Sequence, residues 1–149
     1  MKQVVSAVFA PLCALCLAAS MAVEENKYDG QGADEVDLAR SVELGNNILA
    51  SFRDEDFVHL RRNIPGPLQS KMTENDFRTS CRNCRDTLGE IRAYEYAFEL
   101  DTPAVRNLIW RVGFEREDSE GEPVEQDMLF RLVTGTVDGE VKVLSCGFL

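Results

Sequence analysis

The residues of this chain best suited to chemistry are its cysteines. Cys81-Arg82-Asn83-Cys84 sets two thiols three positions apart, and Cys146 stands close to the far end. A C-x-x-C pair does redox work when one thiol ionises readily, at a helix N-terminus or beside cations. Arg78, Arg82 and Arg85 flank the pair and favour the thiolate. The surrounding pattern opposes it. Phe77, Cys81, Cys84 and Leu88 share one apolar stripe inside a predicted helix, and apolar burial raises a thiol's pKa. The expected role is structural, with redox catalysis the weaker reading. Two pairings stay open. One is a Cys81–Cys84 bridge, strained by mid-helix geometry. The other joins Cys146 to one of the pair. Cys84 is the favoured partner if the last strand ends beside the C-terminal half of that helix, a closure worth about 3–4 kcal/mol in the chain-entropy picture. Zinc held by Cys81, Cys84, Cys146 and His59 would satisfy ligand chemistry. His59 is the only histidine, however, and belongs to a short basic helix pattern, so no metal is expected.

A second set of candidates is aromatic. Tyr94, Tyr96, Trp110, Phe114 and Phe130 recur at even positions and predict one side of a sheet. Such a lining suits a small apolar or peptide ligand, or simply fills the core. It holds hydroxyls and an indole but no carboxylate or histidine in register; Glu125 and Asp127 have the opposite parity. The row Arg78, Arg82, Arg85 is an anion-facing candidate on an otherwise acidic chain, although pairing with nearby acids is the plainer reading. No glycine-rich phosphate loop, nucleophile elbow or metalloprotease helix motif occurs. No cofactor is expected.

These residues need elements to position them. The period of two continues through Tyr94, Tyr96, Phe98, Leu100; Leu108, Trp110, Val112, Phe114; Met128, Phe130, Leu132; and Leu144, Cys146, Phe148. It predicts four strands over about residues 90–100, 106–116, 126–137 and 140–149. Asp101-Thr102-Pro103 turns the chain after the first, a long polar loop over 117–122 links the second and third, and Asp138-Gly139 is a two-residue hairpin signal. Consecutive hairpins make an antiparallel meander. The opposite face carries Glu95, Glu99, Arg111, Glu115 and Arg131, and is expected to be wet or covered by a second copy of the chain. Upstream, Leu38, Val42, Gly45, Leu49 and Phe52 mark one helix. Gly45 inside that stripe predicts a close approach by another element. Asp54 is a candidate cap for a second helix carrying Phe57, Leu60 and Ile64, which Pro65-Gly66-Pro67 ends. Thr73-Glu74-Asn75-Asp76 fits a capping box opening the third, and Gly89 predicts its left-handed stop.

Length and charge set the outer bounds. A chain of 149 residues is one domain. Residues 1–22 read as a secretory signal, with Lys2, an apolar run and Ser20-Met21-Ala22 as the cleavage pattern. An uncleaved anchor is the alternative, disfavoured by a short run containing Pro11. Lipidation at Cys13 or Cys16 lacks the small residue before the cysteine. Residues 23–33 predict a disordered lead-in, leaving residues 34–149 as a single domain. Cleavage would remove one base and no acid, moving the net charge from −10 to −11. That excludes the basic field which nucleic acid or an anionic membrane surface requires. Cys81, Cys84 and Cys146 would remain, and an exported location, periplasmic or secreted, makes at least one disulfide the default.

Three stretches carry a family resemblance. They are Ile48-Leu49-Ala50-Ser51-Phe52-Arg53-Asp54-Glu55-Asp56-Phe57, then Met72-Thr73-Glu74-Asn75-Asp76-Phe77, then Leu88-Gly89-Glu90-Ile91. Over about residues 34–149 the chain resembles the cystatin-like, or nuclear-transport-factor-like, cone and small exported bacterial proteins of an uncharacterised family with that fold. Two departures stand out. Cys81 and Cys84 occupy third-helix positions usually held by tryptophan-like or leucine side chains, and a short hairpin that some members insert before that helix is missing. The resemblance implies an α+β cone, three N-terminal helices packed on a curved four-stranded antiparallel meander sheet. Its members include isomerases, dehydratases, transport adaptors and binding modules, so the fold names no activity. The expected function is an exported, non-catalytic binding or interaction module for a small molecule or a protein partner, with a homodimer through the sheet possible and no stable membrane insertion after signal cleavage. The alternative is a small enzyme or thiol-redox protein using the concave pocket or the Cys81/Cys84 pair.

Overall fold

The computed structural model describes residues 35–149; the expected signal and lead-in lie outside the described residues. Four helices come first: α1 (Glu35–Asp54), α2 (Phe57–Asn63), α3 (Gly66–Gln69) and α4 (Glu74–Leu88). Four strands follow: β1 (Glu90–Leu100), β2 (Arg106–Glu117), β3 (Pro123–Val137) and β4 (Glu140–Phe148). The strands pair antiparallel in the order β1-β2-β3-β4. The α+β class and the meander stand as the period of two predicts.

The helical half needs three corrections. There are four helices among the described residues rather than three, because Pro65-Gly66-Pro67 opens the one-turn helix α3 as well as closing α2. Proline suits the first turn of a helix, where its missing N–H has no partner to lose. The cap of α2 is Asp56, whose carboxylate accepts the His59 N–H at 2.9 Å. Asp54, the expected cap, remains in α1 and pairs with Arg53 at 2.8 Å. The buried stripe of α1 is Ser41, Leu44, Ile48, Leu49 and Ser51, rotated from the expected one, so that Leu38 and Val42 are only half-buried. Gly45 does mark a close approach: a Cβ there would lie 2.2 Å from Trp110 Cζ2.

Helix α4 opens on the expected capping box. The Asp76 N–H donates to the Thr73 hydroxyl at 3.1 Å, and the Thr73 N–H donates to Asp76 Oδ2 at 3.1 Å. Its end differs from expectation. Gly89 has φ 97° but an extended ψ of −164°, so it is a sharp corner into β1 rather than a left-handed helical stop. A Cβ at that corner would sit 2.2 Å from the Glu115 carbonyl oxygen of β2, which only glycine avoids.

The sheet departs from strict alternation at three bulges, near Arg92 and Ala97 in β1 and near Leu144 in β4. An extra residue flips every side chain beyond it to the other face. After Ala97, Phe98 and Leu100 therefore turn outward and are exposed, while Glu99 turns toward the helices opposite Leu108. On the N-terminal side of Leu144 the faces are likewise exchanged, and Val143 rather than Leu144 is the buried residue. The Asp138-Gly139 hairpin forms with φ of 54° and 76°, the positive pair a type I′ turn requires. The loop between β2 and β3 is tighter than expected. Asp118 Oδ1 gathers the N–H groups of Glu120 at 2.8 Å and Glu122 at 2.9 Å.

The core lies between the helices and the inner sheet face. Helix α1 spans β1, β2 and β4; α2 packs on α1, and α4 on α2 and β2. Trp110, Phe114, Phe130, Leu108, Leu132 and Val112 from the sheet meet Ile48, Leu49, Leu60 and Phe77 from the helices, all at 1% exposure or below except Leu60.

Candidate functional site

Three places bring together side chains with chemical or binding capacity: the inner face of the sheet, the thiols, and the outer face of the sheet.

The inner face is occupied. Of the aromatic lining, Trp110, Phe114 and Phe130 are fully buried, and Tyr94 and Tyr96 are half-buried at the β1 side. The Trp110 ring fills the space left by Gly45, and its indole N–H donates to Asn46 Oδ1 at 2.9 Å. Tyr96 meets Trp110 edge-on at 5.5 Å, and Trp110 meets Phe130 at 6.2 Å. Phe148 links Phe130 at 5.3 Å to Phe114 at 5.6 Å. Such edge-to-face contacts pack the rings against one another. Sequence parity put no carboxylate on this face. The bulge at Ala97 brings one, Glu99, whose Oε1 and Oε2 accept from Arg106 Nη1 at 3.0 and 2.7 Å. Burial raises the Tyr96 pKa, with the Glu99 charge adding to it and Arg106 opposing, so its hydroxyl stays a neutral donor at physiological pH. With both oxygens engaged by the Arg106 guanidinium, Glu99 is one half of a structural ion pair rather than a free general base.

No disulfide joins the described cysteines. Cys81 is buried in the core cluster, and Cys84 and Cys146 are half-buried at its edge. Cys84 and Cys146 line a single small cavity together with Phe52, Ser80, Phe130, Gly147 and Phe148. Its volume is about 10 Å³, room for one water. Its walls are nearly all apolar, and burial pushes the Cys146 thiol up to about 12. That thiol is neutral at physiological pH and a poor nucleophile. Among the described residues, no three His, Cys, Asp or Glu side chains gather as a metal site requires; His59 lies on α2. The arginine row is partly spoken for. Arg78 pairs with Glu74 at 2.8 Å, Arg85 pairs with Glu55 at the α1–α2 break, and Arg82 stands exposed between them.

The outer face is where sequence parity missed the most. Strand register places Phe98, Ile109, Arg131 and Gly147 in one row, Arg111, Leu129 and Leu149 in the next, and Leu100, Asn107, Val133 and Ser145 in a third. Phe98 is 47% exposed, Leu100 43%, Leu129 42% and Leu149 60%. Ile109, between Phe98 and Arg131, is buried. A charged margin completes the face: Arg111 pairs with Glu95 at 2.6 Å and reaches Asp127 at 3.9 Å. Of the polar residues expected here, Glu95, Arg111, Glu115 and Arg131 hold their places, and Glu99 has moved inside. A signal for this arrangement existed in Arg106, an even-numbered charge on an otherwise apolar inner stripe, which needs an acid beside it.

Neither a protein-family model nor a curated protein matches the chain.

Proposed function

We propose that the protein is an exported, non-catalytic interaction module that takes a protein partner on the outer face of its sheet. The observation that carries this reading is the filled inner face. The side chains expected to line a ligand pocket, Trp110, Phe114 and Phe130, are spent on the core. A small-molecule pocket needs a few hundred Å³; the space at the aromatic face is about 10 Å³, and a hollow of about 410 Å³ lies instead on the helices, open to solvent and lined by Phe57, Val58, Arg61, Arg62, Gln69 and Glu74. Four of the five exposed large apolar side chains among the described residues, Phe98, Leu100, Leu129 and Leu149, lie on or beside the outer face. An exposed apolar surface with a charged margin has the anatomy of a protein interface. The helices packed against a four-stranded meander support the cystatin-like cone as its scaffold, and the leader pattern supports export. Among the described residues no helix is long and apolar enough to cross a membrane. The enzyme and thiol-redox alternative is less well supported, since Glu99 is already paired and Cys81 is buried.

Site-specific photo-crosslinking in the producing cell tests the reading. A photoreactive residue at Leu129 is expected to give a discrete protein adduct, and one at Val58, the exposed apolar residue on α2, to give none. An adduct of twice the chain's mass identifies the partner as a second copy. Adducts from Val58 but not from Leu129 would overturn the assignment of the face.

A further inference from the structure

We propose that the hollow on the helical layer binds a small organic anion, a carboxylate attached to an apolar body. This does not rest on the partner-binding reading above, since the helices pack on the other side of the sheet from the outer face. The hollow has a volume of about 410 Å³ and opens to solvent between α2, Gln69 of α3 and Glu74 of α4. That volume is in the range of small-molecule sites. One wall is a single face of α2. Phe57 and Val58 occupy one turn, and Arg61 and Arg62 follow at the i, i+4 spacing that makes side chains neighbours along a helix. An apolar pair thereby stands beside a basic pair. Phe57 is anchored on the buried Phe77 ring at 5.7 Å and carries the Arg61 guanidinium over its own face at 5.8 Å, while Val58 is 61% exposed.

The charges suit an anion. Among the described residues no carboxylate pairs with Arg61 or Arg62. The acid in the hollow, Glu74, is already engaged by Arg78, whose Nε and Nη2 donate to its Oε1 at 3.0 and 2.8 Å. Gln69 is a positioning residue. Its Nε2 donates to the carbonyls of Arg61 at 2.6 Å and Ile64 at 2.9 Å, closing the end of α2, and its oxygen is left turned toward Arg61 Nη2 at 3.4 Å. Cations in a last turn also complement the helix dipole, and that interaction leaves their N–H donors open to a ligand. The positive charge is local. Residues 57–85 hold Arg61, Arg62, Lys71, Arg78, Arg82 and Arg85 against only Glu74 and Asp76, in a chain of 16 bases and 26 acids. Such a chain repels a polyanion as a whole. Two adjacent guanidiniums can still take one carboxylate, whose oxygens match their planar N–H donors. The apolar body then covers Phe57 and Val58 and removes their exposed surface from water.

The test is a titration of the purified, isotopically labelled protein with phenylbutanoate, followed by the amide resonances in two-dimensional NMR spectra. Saturable shifts are expected at residues 57–62 and at the Gln69 side-chain amide. Phenylbutanol, which has the same body without the charge, and butanoate, which has the same head without the ring, are each expected to bind about tenfold more weakly. Arg61→Gln and Arg62→Gln are each expected to weaken phenylbutanoate binding about three- to fivefold, as loss of one exposed charge contact does. The absence of a saturable shift, equal affinity for the acid and the alcohol, or shifts centred on Phe98, Leu129 and Leu149 would each overturn the proposal. So would unchanged affinity in both variants. Cosedimentation of the protein with phosphatidylglycerol vesicles would overturn it too, by making the hollow a contact for a lipid surface. The three ligands are compared on the unmutated protein, so a variant that fails to fold does not obscure the result.

Discussion

Gly45 and Trp110 are one structural unit, although they lie far apart in the chain. The indole occupies the volume where any side chain at position 45 would begin. Alanine there gains about 1 kcal/mol of helix propensity but forces the packed Trp110 ring and α1 apart, an overpacking cost of about 1–3 kcal/mol. Since neighbours on all sides hold the ring, overpacking wins. Gly45→Ala is expected to destabilise the fold by about 1–2 kcal/mol, read from urea denaturation followed by tryptophan fluorescence. Cys146 makes a second prediction. Burial raises its thiol from 9.0 to about 12, so the folded state holds a proton that the unfolded chain has released. Its contribution is fully present below pH 9 and is lost as pH rises toward 12. Between those values stability should fall by up to about 1.4 kcal/mol per pH unit from this group, and Cys146→Ala should flatten that limb in denaturation midpoints taken from pH 8 to 11.

Helix α4 shows how an element is set by its ends. It carries three arginines, three acids and only a narrow apolar stripe, so its start is secured by the Thr73–Asp76 box. The Thr73 hydroxyl hydrogen bond, then the Thr73 N–H, hold the Asp76 carboxyl below its ordinary 3.8. A depressed carboxylate stabilises above pH 3.8 and loses that contribution as pH falls through its lowered value. Thr73→Ala is expected to cost about 1 kcal/mol at pH 7, and the gap to the unmutated protein should close in acid, measured by thermal midpoints at pH 7 and below pH 3. Strand β1 is governed instead by its irregularities. Its bulge at Ala97 exchanges the faces of Phe98, Glu99 and Leu100, which both supplies Arg106 with its counter-ion and exposes the aromatic ring on the far side. One inserted residue thus converts a would-be core pair into surface.

For the whole molecule, the consequence is a division of labour between the two faces of one sheet. The inner face is spent on the core, and the outer face is the one the proposed reading assigns to binding. Phe98 is already 47% exposed, so Phe98→Asp should alter stability by no more than about 0.5 kcal/mol while abolishing the crosslink from Leu129. A large drop in the denaturation midpoint of Phe98→Asp would instead make that ring part of the core. The chain's net charge of −10 is of the sign that opposes association with polyanions.

Much of this architecture was written locally. The order of helices before strands, the capping box at Thr73 and the Asp138-Gly139 turn follow from neighbours within a few positions, where propensity and hydrogen-bonding chemistry act directly. A glycine inside the stripe of α1 signals a close approach at Gly45, but that Trp110 makes it, and that Gly89 is a corner against Glu115 rather than a left-handed stop, is decided by distant residues. What sequence alone could not settle depends on partners distant in the chain. The faces of Phe98, Glu99 and Val143 are decided by bulges, which exist only relative to the strand alongside. The shared cavity of Cys84 and Cys146 and the Ser41–Thr134 hydrogen bond at 2.7 Å require α4 and α1 to be laid on the sheet first. Whether the aromatic side holds a ligand or a core is a matter of volume, and volume is set only when both layers close on it.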